Sequence, residues 1–105
     1  MPYTKQERRA SLNSHAHRIA SDLKFMGGDK GDLNYVLSRI VTLYVAGKGL
    51  SYANASDGEA ALNDAAKEWY DRVMRPYEDL KCLQNGEVYD EVLDQLKDMV
   101  DDAVL

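Results

Sequence analysis

Cysteine occurs once in this chain, at position 82, so no internal disulfide can form. A lone thiol fits a reducing compartment, and the cytoplasm is the expected location. Long apolar runs are also missing. The stretch from Ile40 to Ala46, broken by Thr42, falls far short of the roughly 20 residues that span a bilayer, so no membrane partner is expected. The opening MPYTKQERR is charged from the start and has no apolar signal core, so no secretion signal is expected. Histidine is confined to positions 15 and 17. On a helix, two residues apart means about 200° of rotation, whereas a zinc pair needs a spacing of three or four. No metal site is expected.

Other absences narrow the chemistry. The GGDKGD run at 27–32 has no strand pattern before it and no lysine–serine pair after it, so it is a turn rather than a phosphate loop. Cys82 has no histidine near it in sequence to serve as a base. The adjacent acids Glu78-Asp79 and Asp101-Asp102 sit in polar surroundings, with no burial to raise a pKa. The net charge is −5, which argues against duplex DNA as a partner, because that role takes many phosphate-contacting cations. No enzyme activity and no cofactor are expected.

What is present is helical periodicity. The 105 residues suit one domain, 1–105, able to bury a modest core whose stability is marginal or shared with a partner. The spacing predicts an all-α bundle of about four helices. Leu12, Ala16, Ile19, Leu23 and Met26 recur at 4-3-4-3 intervals behind a TKQE capping box at Thr4–Glu7, and Gly27-Gly28 ends that helix. Asp32 is a candidate cap for a second helix, with Leu33, Val36, Leu37, Ile40, Leu43 and Tyr44 on one face. Val41 and Val45 widen that face, so this helix is expected to be the most buried, with Leu37 and Ile40 in the core. Ser51 is placed to cap a third helix, which carries Trp69 and Val73 and should end or kink at Pro76. Around Asn85-Gly86 either a helix cap or a short β-hairpin fits, and the hairpin is slightly preferred. Asp90 is a candidate cap for a last helix with Val92, Leu93, Leu96, Met99, Val100 and Val104 on one face, an acidic extension over 89–105.

Charge is divided between the ends. Residues 1–26 carry five Lys or Arg against two acids, and residues 84–105 carry seven acids against Lys97 alone. The basic segment, with Lys5, Arg8 and Arg9, can attract an anion. The aromatic-rich stretch EWYDRVMRPYEDL offers a second possibility. Trp69, Arg72, Arg75 and Tyr77 can grip a carboxylate or phosphate and stack on a flat ring. The same residues can instead lock a helix end, with Arg72 on Glu68 or Asp79 and Tyr77 on Trp69. Both readings stay open at this point.

Several short motifs, MPY-x-K at the start, LNY at Leu33–Tyr35, YDRV at Tyr70–Val73, RPYED-x-K at Arg75–Lys81 and NGEVY at Asn85–Tyr89, resemble a family of short phage and prokaryotic proteins of unknown function. The likeness covers residues 1–89. It departs at the alanine-rich third helix with Asp57-Gly58, and the acidic 90–105 segment runs beyond it. The resemblance implies a non-enzymatic helical binding protein that interferes with a host system, such as a defence system, by holding a host protein or a small anionic nucleotide. It also adds Tyr3 and Tyr35 to the candidate binding residues. The alternative is a self-assembling structural or regulatory helical module without a ligand. Because the amphipathic faces exceed what one small core can cover, a homo-oligomer is expected.

Overall fold

A computed structural model describes residues 2–104, with the backbone alone at 104. Met1 of the MPY motif and the Val104 side chain therefore lie outside what is described. The elements are α1 (Gln6–Phe25), α2 (Lys30–Lys48), α3 (Tyr52–Trp69), a π-helical turn (Tyr70–Met74), α4 (Arg75–Asn85) and α5 (Asp90–Val104). Among the described residues there is no strand, so the chain is all-α. It divides into two units, residues 1–68 and residues 69–105.

In the first unit, α1 ends as its glycines suggest. Gly27 takes a φ of 68°, its amide bonds to the Lys24 carbonyl, and the Gly28 amide reaches the Leu23 carbonyl at 2.7 Å. These two bonds form the Schellman closure, which a residue with a Cβ enters only under strain. The starts of α1 and α2 correct the sequence reading. The TKQE box does not form. Lys5 is the cap of α1 without a side-chain bond, and the Thr4 carbonyl is taken by Arg9 Nε at 2.8 Å. Asp29, not Asp32, caps α2. Its carboxylate accepts from the Asp32 amide, and Asp32 accepts in return from the Asp29 amide, each at 3.0 Å. The D-x-x-D pair satisfies two orphan amides at once, so the helix starts three residues earlier. Ser51 does cap α3, with its Oγ accepting from the Asn54 amide.

Two of these helices meet at one place. Gly58 on α3 is the only buried residue among those described. A Cβ built there would lie 2.9 Å from Val41 Cγ1 and 3.2 Å from Val45 Cγ2 of α2. The glycine that weakens α3 by about 1 kcal/mol relative to alanine is the residue that lets α2 approach. The face of α2 turned to this contact is the Val41–Val45 side, and both valines are half-buried. Leu37 and Ile40, expected in the core, remain 46% and 48% exposed.

In the second unit, Pro76 does not end the helix. A proline in a regular α-ladder lacks an amide for the carbonyl four residues back and collides with it. Here the Arg75 amide bonds instead to the Tyr70 carbonyl, five residues back. The slip places a π turn just ahead of Pro76, and the helical path from Trp69 runs on to Asn85. The hairpin at Asn85-Gly86 is absent. A tight two-residue hairpin of the Asn-Gly kind needs positive φ at both residues, but only Gly86, at 96°, has it. Gly86 closes α4 through a 2.8 Å bond to the Cys82 carbonyl, and Asp90 is the first residue of α5 rather than its cap, because the Tyr89 carbonyl accepts the first amides, those of Val92 and Leu93.

Candidate functional site

The candidate residues fall into the two units. In the first, Tyr3, Lys5 and Arg8 line a shallow surface groove with Thr4 and Glu7. The segment before α1 is tied down at two points. Arg9, half-buried, holds the Thr4 carbonyl, and the Tyr3 hydroxyl donates to Glu68 Oε2 at 2.7 Å. Arg9 thus has a structural duty, whereas the Arg8 and Lys5 side chains are exposed. Tyr35 is 66% exposed on α2. A second groove of about 500 Å³ runs between α2 and α3, lined by Ile40, Val41, Tyr44, Gly58 and Ala61 together with the acids Asp57 and Asp64. Beside it the Lys48 ammonium lies 5.0 Å from the centre of the Tyr44 ring. The hydrogen bond to Tyr44 raises the Lys48 pKa above its ordinary value.

In the second unit, Trp69, Arg72, Arg75 and Tyr77 are all exposed. The spacing argument for Arg72 and Arg75 assumed α geometry. The π turn widens the helix between them, so the three-residue interval no longer stacks them as it would in an α-helix. One of the two acids proposed to hold Arg72, Glu68, is engaged by a tyrosine, and so is Glu78, the neighbour of the other, Asp79. Glu68 accepts from Tyr3, and Glu78 accepts from the Tyr70 hydroxyl at 3.4 Å. The Tyr77 ring lies beneath the Lys81 ammonium, with the nitrogen 5.7 Å from its centre. These tyrosine partners were invisible in the sequence, because no local spacing connects Tyr3 with Glu68 across 65 positions.

With both guanidinium groups in water, Arg72→Ala and Arg75→Ala are each expected to leave the thermal midpoint within the range of about 0.5 kcal/mol typical of surface substitutions. A melting curve measured by circular dichroism checks this. A large loss of stability in either variant would show that the arginine closes the helix end rather than standing available to a ligand.

Cys82 is half-buried, and its thiol donates to Glu87 Oε2 at 2.8 Å. That hydrogen bond raises its pKa, with burial and the Glu87 charge acting the same way. The group is held as a thiol, the opposite of what a nucleophile needs.

No curated protein and no solved structure matches this chain. A family model does, over residues 1–88, which stops just short of α5. By that match across most of its length, the chain belongs to the family described as a domain of unknown function (DUF6899).

Proposed function

We propose that this chain is a non-enzymatic binding protein whose working form is a homo-oligomer, its helices completing their cores against further copies of the chain. The observation that carries the reading is the lack of a buried apolar side chain among the described residues. The chain exposes 9558 Å². A compact monomer of this length would expose about 5,900 Å², and even two separately compact pieces only roughly 7,100 Å². The excess over two compact pieces, roughly 2,400 Å² per chain, is at the upper end of what an obligate interface removes from each partner. Leu33, Leu37, Ile40, Leu43, Leu93 and Leu96 would all be left in water by a monomer, which is far more apolar surface than solitary exposed residues explain.

The protonated, hydrogen-bonded Cys82 supports the non-enzymatic part of the reading. The exposed Arg72 and Arg75 beside Trp69 and Tyr77 support a binding role, since they offer cations and flat rings to an anionic partner such as a nucleotide. Interference with a host system, the role implied by the resemblance to phage proteins, would act through such a surface. Among the described residues no helix is long and apolar enough to cross a membrane.

Light scattering on the purified chain tests the assembly. A dimer or larger species at tens of micromolar is expected. A folded monomer at that concentration, with full helical circular dichroism, would overturn it. Absorbance near 260 nm that leaves the protein on unfolding, identified by mass spectrometry, would name a nucleotide partner. A clean protein spectrum would direct the search to a protein target.

A further inference from the structure

Within this oligomeric reading, on which the following step rests, we infer that the acidic α5 of one copy docks along the basic α1 of a second copy, so that two reciprocal α1–α5 contacts join the pair. The first observation is the bare apolar stripe of α5. Val92, Leu93, Leu96, Met99 and Val100 fall within about 120° of the helix circumference, and all are exposed, Leu93 least at 45%. The spacing from Val92 to Leu96 to Met99 is the 4-3 rhythm of a helix that packs lengthwise against another.

Charge selects the partner. α5 carries Asp90, Glu91, Asp94, Asp98, Asp101 and Asp102 against Lys97 alone. Two α5 helices set against each other would bring acidic edges together, which disfavours self-pairing. α1 carries Arg8, Arg9, Arg18 and Lys24 against Glu7 and Asp22, and the cations at 8, 18 and 24 are exposed. Its apolar stripe, with Leu12 56% exposed and Ala16 exposed, is likewise incompletely covered. At 1.5 Å per residue, α1 is about 30 Å long and α5 about 22 Å, so α1 can cover the whole stripe of α5. α2 is the nearest rival, but its Lys48 already lies over the Tyr44 ring, and Asp57 and Asp64 line the groove at its side. Area does not limit the contact, because each copy exposes roughly 2,400 Å² more than two separately compact pieces of its size would, enough for its own share of an obligate interface.

The inference predicts a charge-swap pattern. One variant carries Arg8→Glu and Arg18→Glu, leaving Arg9 with its Thr4 bond. The other carries Glu91→Lys, Asp98→Lys and Asp102→Lys, one row along the edge of the stripe. In a homodimer of either variant, both reciprocal contacts join like charges. Each variant alone is expected to dissociate at least tenfold more readily than the wild type at low salt, by sedimentation, with the difference shrinking in high salt. In an equal mixture both contacts join opposite charges again, so the complex and its helical signal should return. This recovery reads out the pairing even if each variant alone folds poorly.

Recovery in a chain carrying all five substitutions but not in the mixture would overturn an intermolecular contact. Unchanged assembly in both variants would overturn the α1–α5 pairing while leaving the oligomer standing. Dissociation by Arg39→Glu on α2 equal to that of the α1 variant would overturn the choice of α1. A wild-type chain that is monomeric at the outset would instead overturn the oligomeric reading beneath it.

Discussion

Gly58→Leu is expected to lower the melting midpoint by roughly 5–15 °C. At Gly58 a Cβ alone would stand 2.9 Å from Val41 Cγ1 and 3.2 Å from Val45 Cγ2. Both obstacles belong to valines, whose branched side chains have one strongly preferred rotamer in a helix and so cannot swing aside cheaply. A leucine adds three more carbons against the same wall. Overpacking of this kind costs about 1–3 kcal/mol and sometimes more, and the helix propensity that leucine brings returns somewhat less than 1 kcal/mol. For a domain of about 100 residues each kcal/mol moves the midpoint by about 4–8 °C. Gly47→Ala is the control. Gly47 is also inside a helix, but a Cβ there meets nothing within 4 Å, so its replacement should stabilise by up to about 1 kcal/mol. Two helical glycines thus give shifts of opposite sign. Adding Val41→Ala to Gly58→Leu should recover part of the loss, because it removes the nearest obstructing carbon. A midpoint for Gly58→Leu close to that of the wild type would mean that α2 and α3 do not meet at this glycine.

The contrast between those glycines shows where the sequence stops being legible. Periodicity is a property of the chain itself, so the 4-3 spacing of Leu12, Ala16, Ile19 and Leu23 located α1, and the Gly27-Gly28 pair located its end. Caps are less determinate. Asp29 and Asp32 are both good cap residues three apart, and only the reciprocal bonding decides that Asp29 comes first. Asn85-Gly86 fits a hairpin or a helix close, with the hairpin slightly preferred, and the outcome turns on a single φ angle that depends on how α4 continues behind it. Pro76 marked a disturbance but could not say that a π turn would absorb it.

Burial was the least legible property. The apolar face of α2 was evident from Leu33, Leu37, Ile40 and Tyr44, but a pattern shows which face avoids water and not which surface covers it. The close contact with α3 falls on the neighbouring edge, at Val41 and Val45, because Gly58 lets α3 approach there. The candidate site had the same difficulty. Residue types flagged Trp69, Arg72, Arg75 and Tyr77, yet the partners of Glu68 and Glu78 were settled by tyrosines at Tyr3 and Tyr70. Those contacts depend on the arrangement of the helices rather than on spacing along the chain.

If the missing cover is another copy, stability must depend on protein concentration. When assembly and folding are one reaction, the folded state is favoured by mass action, and each tenfold dilution of a dimer withdraws about 1.4 kcal/mol from it. Unfolding carries an entropy of about 2.1 cal/mol/K per residue, or roughly 0.44 kcal/mol/K for two chains of 105 residues. The melting midpoint should therefore fall by about 3 °C for every tenfold dilution of a dimer, and by up to about 6 °C for a large ring or cage. Across a thousandfold range of concentration that is a loss of about 9 °C or more, with helical signal and scattering mass declining together. A chain that buried its own core would melt at the same temperature throughout. Reading circular dichroism at nanomolar to micromolar concentrations separates the two cases without knowledge of any ligand. A flat series would return Leu37, Ile40 and Leu96 to the status of exposed residues with no partner to explain them.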